Sequence, residues 1–357
     1  MSVNTNKPTT SFGVTIAGIG AYAPETIISN DDLTQLVDTS DEWIASRTGI
    51  RQRHVVTGNQ SIVDLAENAI QDALASAGMD GEEVDLIIAA TSTPDTIYPA
   101  TACQLQHRIG ASRAVGFDIA MACSGFVYGI ITASQFLRAG TYKTAIVVAS
   151  DIHSRYTDWS DRNTCVLFGD GAGAIILKAD PETDDILACE LGVDGSKGAE
   201  LTLHTSAQNC PLVKPREPGN NYVYMNGREM FKFAVNTVPM TIRSIVDKAG
   251  MTLDDLDHVV LHQANIRILQ AMNEKMGIPE EKLIVNLQKY GNTSAASVPL
   301  ALNEAVLDGR VKQGDVLAMC GFGAGAAWGT TVLRWSCVDQ RLGKHQETSD
   351  TQEIQLV

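Results

Sequence analysis

Cys123 stands in the run GFDIAMACSGFVYGI, where an apolar stretch gives way to small residues and then to a helical pattern. A thiol at such a helix start faces unpaired backbone N–H groups and the positive end of the helix dipole. Both favour thiolate over thiol, which predicts a lowered pKa and a reactive nucleophile. The small neighbours Ala122, Ser124 and Gly125 leave room for a substrate. The other reading of the same residue is a buried cysteine serving as a small hydrophobe. His262 follows a short apolar run in VVLHQANIRIL. A polar His-Gln-Ala-Asn group leaving a strand end is where α/β proteins place ligand-binding side chains; the alternative is a histidine satisfied at a strand–helix junction. Asn292 lies in YGNTSAASVP, between a Tyr-Gly turn and a small-residue helix, and Gly-Asn is also an ordinary turn pair. The glycine-rich stretch 321–329, GFGAGAAWG, contains neither GxxxxGKS/T nor a suitably placed GxGxxG. Its glycines suit backbone N–H groups approaching a substrate carbonyl better than a nucleotide phosphate. No HExxH, DxDxDG or paired His/Cys cluster points to a metal.

Positioning these residues needs a framework of buried strands. Residues 14–19, 84–90, 115–119, 144–149 and 173–177 read as strands, with 84–90 and 144–149 apolar enough to be buried on both faces. Between them, residues 30–36, 61–78, 100–109 and 125–139 read as helical; Ile62, Leu65, Ala66, Ala69 and Ile70 mark the apolar face of the second. The second half repeats the alternation. It has helices at 228–249, 266–276 and 295–307 and strands at 259–261, 316–319 and 330–334, with Pro239 expected to kink or break the first of these helices. Alternating strands and helices make this an α/β protein. Two local matches recur in the same order, VDLIIA (84–89) with LDHVVL (256–261) and FGDGAG (168–173) with FGAGAA (322–327), and they favour an internal duplication. The expected organisation is an N-terminal half at 12–180, a connecting segment at 181–224 marked by Pro181, Pro211, Pro215 and Pro218, a C-terminal half at 225–336, and a polar, mobile tail at 337–357.

With 357 residues, 44% hydrophobic and 19% charged, the composition is that of a globular chain. No apolar run approaches the roughly 18 residues of a spanning helix, and MSVNTNKPTTSF lacks a secretory h-region, so membrane insertion is not expected and a cytoplasmic protein is. The net charge of −15, from 27 basic and 42 acidic residues, disfavours nucleic acid and anionic membrane as partners. Seven widely spaced cysteines without CxxC argue for reduced thiols over a disulfide framework or a zinc site.

The segments VDTSDEWIASRTGIRQRH (37–54), DIAMACSGF, FGDGAGA, LHQANIRI and YGNTSAASVP together resemble the β-ketoacyl-acyl carrier protein synthase III family of thiolase-fold condensing enzymes, over nearly the whole of residues 14–335. The resemblance implies a thiolase-like fold whose duplicated halves stack as a five-layered αβαβα sandwich, working as a homodimer. It implies a catalytic set of Cys123, His262 and Asn292, with backbone N–H groups of Cys123 and Ala324 as oxyanion hole. It places Trp43 and Arg162 on either side of the coenzyme A adenine, Arg47 near its phosphates, Lys232 and Arg267 where acyl carrier protein docks, and Tyr98 where one subunit closes the other's acyl pocket. Acyl-CoA and a malonyl carrier protein are then substrates, and no cofactor is called for. The glycine loop departs from the family pattern at Ala324, where a Cβ restricts φ, and at Ala326, which replaces an aromatic. These departures bear on substrate selectivity. Three rival readings stand beside this one: a condensing enzyme or acyltransferase with another acceptor, a non-catalytic binding protein, and a degradative thiolase. The last needs a second active-site cysteine, for which Cys320 is the formal candidate.

Overall fold

The computed structural model describes residues 11–204, 212 and 221–342. The first sheet is built from β1 (Gly13–Tyr22), β2 (Leu86–Ala90), β3 (Val115–Ile119), β4 (Thr144–Ile152) and β5 (Asp170–Asp180), in the order β1-β5-β4-β2-β3. The second comprises β6 (Ile186–Val193), β7 (His258–Leu261), β8 (Leu283–Ile284), β9 (Val316–Gly323) and β10 (Ala327–Arg334), in the order β6-β10-β9-β7-β8. The two orders are the same pattern. In each sheet the first, fifth and fourth strands run antiparallel to their neighbours, and the fourth, second and third run parallel. The duplication hinted at by two short matches is thus a topological repeat.

That repeat opens at Ile186. The second half therefore begins inside the segment 181–224 that the sequence presents as a connection: β6 pairs with β10 along its length and is a full member of the second sheet. Its residues, ILACELGV, carry polar and small side chains on a half-buried edge, so neither a continuous apolar run nor a clean alternation announces a strand. Pro211, Pro215 and Pro218 lie outside the described residues.

Among the described residues, seven helices of eight residues or more frame the sheets: α1 (Asp41–Thr48), α2 (Ile62–Ala77), α3 (Thr101–Arg108), α4 (Gly125–Arg138), α5 (Gly227–Lys248), α6 (Ile266–Met276) and α7 (Ser297–Leu307). The sequence signals set their ends. Ser61 caps α2 reciprocally with Asp64, and Gly78 closes it in the left-handed region. Pro239 does not break α5, which is continuous across it. Proline removes the N–H that Val235 would have received, but Val238, Pro239 and Ile242 are all buried, and that packing holds the helix together.

The layers are read from the three apolar cores. One core packs α2 and α3 onto the first sheet, one packs α5 and α6 onto the second, and the third joins both sheets through α4 and α7. Five layers result: helices, sheet, helices, sheet, helices. Every residue of β2 and β4 is buried, as expected of strands covered on both faces. The chain after β10 is docked, not loose, as far as it is described: Cys337 and Asp339 are buried, and 340–342 are helical. Residues 343–357, the rest of the tail expected to be mobile, lie outside the described residues.

Candidate active site

The two central helices α4 and α7 hold equivalent places in the repeat, and each is entered through a short 3-10 turn, Ala122–Ser124 and Ser294–Ala296. Both turns open on a non-glycine residue with positive φ, Ala122 at 43° and Ser294 at 54°. Such conformations are rare and cluster at functional sites. The duplication sets these two turns against each other: the Ser294 hydroxyl donates to Cys123 Sγ at 3.5 Å. The glycine loop closes the third side. A Cβ on Gly323 would stand 2.9 Å from Cys123 Cβ and 3.2 Å from its sulfur, so only glycine lets β9 come this close.

Cys123 is buried, and burial pushes its thiol up to about 12; the Ser294 hydroxyl pulls the other way and the Asp151 carboxylate adds to the rise. The expectation of a lowered pKa at a helix start is thereby corrected. The helix start is present, but desolvation of the charged form outweighs it. At rest the group is a thiol.

His262 follows β7 and is buried against Phe322, its ring 5.2 Å away and edge-on. Its Nδ1 is 2.7 Å from Ser297 Oγ, and Ser297 Oγ also accepts the Gln263 N–H at 3.2 Å. When the hydroxyl donates its own proton to Nδ1, Nε2 carries the imidazole proton. Burial, helped by the nearby His153, holds His262 down to about 3, with the Ser294 backbone opposing, so the ring is neutral. Asn292 is oriented with equal economy. Its Oδ1 accepts the Ser294 N–H at 2.9 Å, while its backbone is tied to Leu167 and Gly169. Nδ2 is thereby left to donate. Ser294 touches all three residues, and neither it nor Ser297 is singled out by sequence reasoning, although both lie in the quoted YGNTSAASVP run.

In the glycine loop the positive φ falls on Gly325, at 137°, and not on Ala324. Ala324 sits in an ordinary conformation, so its Cβ carries no backbone penalty. Ala326 is fully buried in the second core, and its carbonyl receives the Asp194 N–H at 2.8 Å.

Above the buried cluster runs a cleft in two joined parts, of about 490 Å³ and 350 Å³. The outer part is lined by Trp43 and Arg162, the inner by Arg267 and Asn292, and both by Arg47 and Asn265. Arg47 and Arg162 both lie over the Trp43 ring, at 4.4 and 4.6 Å. The space between Trp43 and Arg162 is therefore closed by their own contact. Lys232, on α5, is exposed and paired with Glu229 of its own helix, outside the cleft lining. Tyr98 is 86% exposed and stands with Ile97, also 86% exposed, on a loop at the surface. Cys320 is buried, its thiol receiving the Thr330 hydroxyl and pushed up to about 12 by burial. Among the described residues, no cluster of His, Cys, Asp or Glu could hold a metal ion, and no helix is long and apolar enough to cross a membrane.

A duplicated five-layer sandwich with a cysteine at one central helix start and a histidine and asparagine beside the other defines the thiolase-like condensing enzymes. The family models for 3-Oxoacyl-[acyl-carrier-protein (ACP)] synthase III and its C-terminal region match residues 117–195 and 246–335. A β-ketoacyl-[acyl-carrier-protein] synthase III of Thermosynechococcus vestitus is 50% identical, over 90% of this chain and 98% of that protein. The enzyme of the same name from a Synechocystis strain is 48% identical, over 92% of this chain and 99% of its own. The crystal structure of 3-oxoacyl-[acyl-carrier-protein] synthase III from Aquifex aeolicus superposes with a TM-score of 0.84 at 43% identity, covering 90% of this chain and all of that one. The chain belongs to the β-ketoacyl-acyl-carrier-protein synthase III family: it is an acyltransferase, and its reaction is the condensation that initiates fatty acid synthesis.

Proposed function

We propose that the reaction runs through an acyl-Cys123 intermediate, with acetyl-CoA or another short acyl-CoA as donor and malonyl on acyl carrier protein as extender. The observation that carries this is Ser294, which ties the thiol of Cys123 to Asn292 and His262 below a cleft open to solvent. In the first stage Cys123 sulfur attacks the thioester carbonyl, the C–S bond to CoA breaks, and CoA leaves as the thiol with the proton Cys123 gives up. Backbone N–H groups of Cys123 and Ala324 hold the oxyanion; one such donor is worth about 3–4 kcal/mol. In the second stage the malonyl group loses carbon dioxide, and the electron pair moves onto the thioester oxygen. Nε2–H of His262 and Nδ2–H of Asn292 stabilise that enolate, and its carbon attacks the acyl-Cys123 carbonyl to free the sulfur. A neutral His262 suits this role, because a donor is needed and a charge is not. Loss of carbon dioxide drives the step, so a resident cofactor has no part to play.

The arginine–tryptophan stack supports a CoA site in which the adenine displaces Arg162 from the Trp43 ring while Arg47 meets the phosphates. Arg267 on the cleft wall, with Lys232 on the neighbouring helix, offers an acidic carrier protein its cations. The exposed Ile97–Tyr98 loop and the half-exposed β3 edge support a homodimer in which Tyr98 closes the partner's acyl pocket. The free thiols suit the cytoplasm.

Intact mass after exposure to a panel of acyl-CoA thioesters tests the intermediate. One acyl adduct, mapped to Cys123 and absent from Cys123→Ala, is the expected result; an adduct persisting in that variant sinks the assignment. In the matching carrier arm, Lys232→Glu with Arg267→Glu raises KM for malonyl carrier protein at least about tenfold and leaves acyl-CoA acylation unchanged.

A further inference from the structure

Behind the nucleophile lies a second polar cluster. Asp151, near the end of β4, is fully buried. Its Oδ1 accepts the Ser92 N–H at 2.8 Å and the hydroxyls of Thr93 and Thr91 at 3.2 and 3.3 Å. Its Oδ2 faces the other half of the molecule and accepts the N–H of Ala295 at 3.4 Å, in the turn whose Ser294 donates to Cys123. Two residues on, His153 is buried with its ring stacked on Phe168 at 5.0 Å, and Phe168 bridges through its backbone to Asn292. His153 Nε2 is 4.0 Å from Asp151 Oδ2, and neither ring nitrogen has a hydrogen-bond partner among the described residues. Buried polar nitrogens are seldom left unpaired unless they serve a function. Nothing in the two-stage chemistry uses either residue.

We propose that Asp151 and His153 form a positioning pair, which fixes the Ser294–Ala296 turn against Cys123 and governs the charge felt by Cys123 and His262. This rests on the reading of Cys123 as nucleophile. The titratable groups facing the pair are Cys123 from the α4 entry turn, His262 from the end of β7, and Asp170 from β5, which is occupied by Ser154 and the Val56 N–H. Burial opposes ionisation of the Cys123 thiol, and the carboxylate behind it adds to that opposition. His153, beside that carboxylate, adds to the burial that keeps a proton off His262 and leaves it a neutral donor. One pair thus acts on both catalytic groups: it restrains ionisation of Cys123 and favours the neutral His262 that the second stage uses.

Asp151→Asn is the isosteric test. Its Oδ1 keeps the Thr91–Thr93 donors, but its amide confronts the Ala295 N–H with a second donor. Two readouts move in opposite directions. Alkylation of Cys123 by iodoacetamide becomes about 3- to 10-fold faster at fixed pH, its rate–pH curve moving by roughly half to one unit to lower pH. Condensation falls at least about tenfold. A variant that alkylates Cys123 at the wild-type rate or slower overturns the proposal, whereas label found on another cysteine overturns the nucleophile reading instead. His153→Gln is the second arm and does not depend on the first variant folding. Without His153, His262 takes up its proton at higher pH, and the acid limb of malonyl decarboxylation moves up with it; an unmoved limb overturns the proposal.

Discussion

At the scale of single residues, the chemistry depends on which proton sits where. Ser297 Oγ accepts the Gln263 N–H and lies 2.7 Å from His262 Nδ1, where its own proton can be donated. Ser297→Ala removes the group that selects the Nε2–H tautomer, so the enolate loses one of its two donors in part of the population. Carbon dioxide release from malonyl carrier protein is expected to fall about tenfold, while acyl-enzyme formation, followed by intact mass, stays within about twofold. Equal loss of both half-reactions would show that Ser297 acts on the whole cluster. Cys123, His262 and Asn292 each have an ordinary structural reading in the local sequence; it is the family resemblance that puts them forward as a set, and the fold that brings them around Ser294. The ionisation of Cys123 is not legible there: a helix start can be read from spacing, but the burial that overrides it comes from β9 and the Ser294 turn, more than 150 residues away. Asp151 and His153 are hidden for the same reason, since their partners lie on other strands and on the other half.

At the scale of elements, the entry turns of α4 and α7 and the strand β9 form one unit. Gly323 is the contact that lets β9 lie against Cys123. Gly323→Ala forces the loop away from the thiol and carries the Ala324 N–H out of the oxyanion hole proposed for it. A fall in kcat of about 100-fold is expected, with a circular dichroism spectrum like that of the parent; full activity would mean that the loop has room the close approach does not suggest. Helices α2 and α6 and the buried strands β2 and β4 are legible from periodicity and caps. The strand β6 is not, because its edge position and mixed composition blur the period on which such readings depend. Pro239 is the converse case: a local rule forecasts a kink or a break, and the helix runs on across it with Val238, Pro239 and Ile242 buried.

At the scale of the whole molecule, the two halves are held by the α4–α7 layer and, less visibly, by the strap after β10. Ser336 exchanges hydrogen bonds with both backbone groups of Ile16 on β1, and Cys337 is buried beside Ser76 of α2. Arg341 then pairs with Asp72 of α2 at 2.6 Å and with the buried Asp339, and donates to Asn303 of α7 at 3.0 Å. A polar composition argues for a loose tail, yet a polar segment can dock wherever its charges find partners, and here they come from two helices far apart in sequence. Arg341→Ala strips the buried Asp339 carboxylate of its counterion and should cost about 2 kcal/mol, since breaking a buried pair costs more than an exposed one returns. The midpoint of thermal unfolding should then drop by a few degrees, with kcat unchanged because the strap lies away from the cleft. Removing Asp339 as well should recover part of the loss, because no unpaired buried charge remains. An unchanged midpoint in the single variant would mean that solvent replaces the arginine at no cost, and that the halves are held by their apolar layer alone.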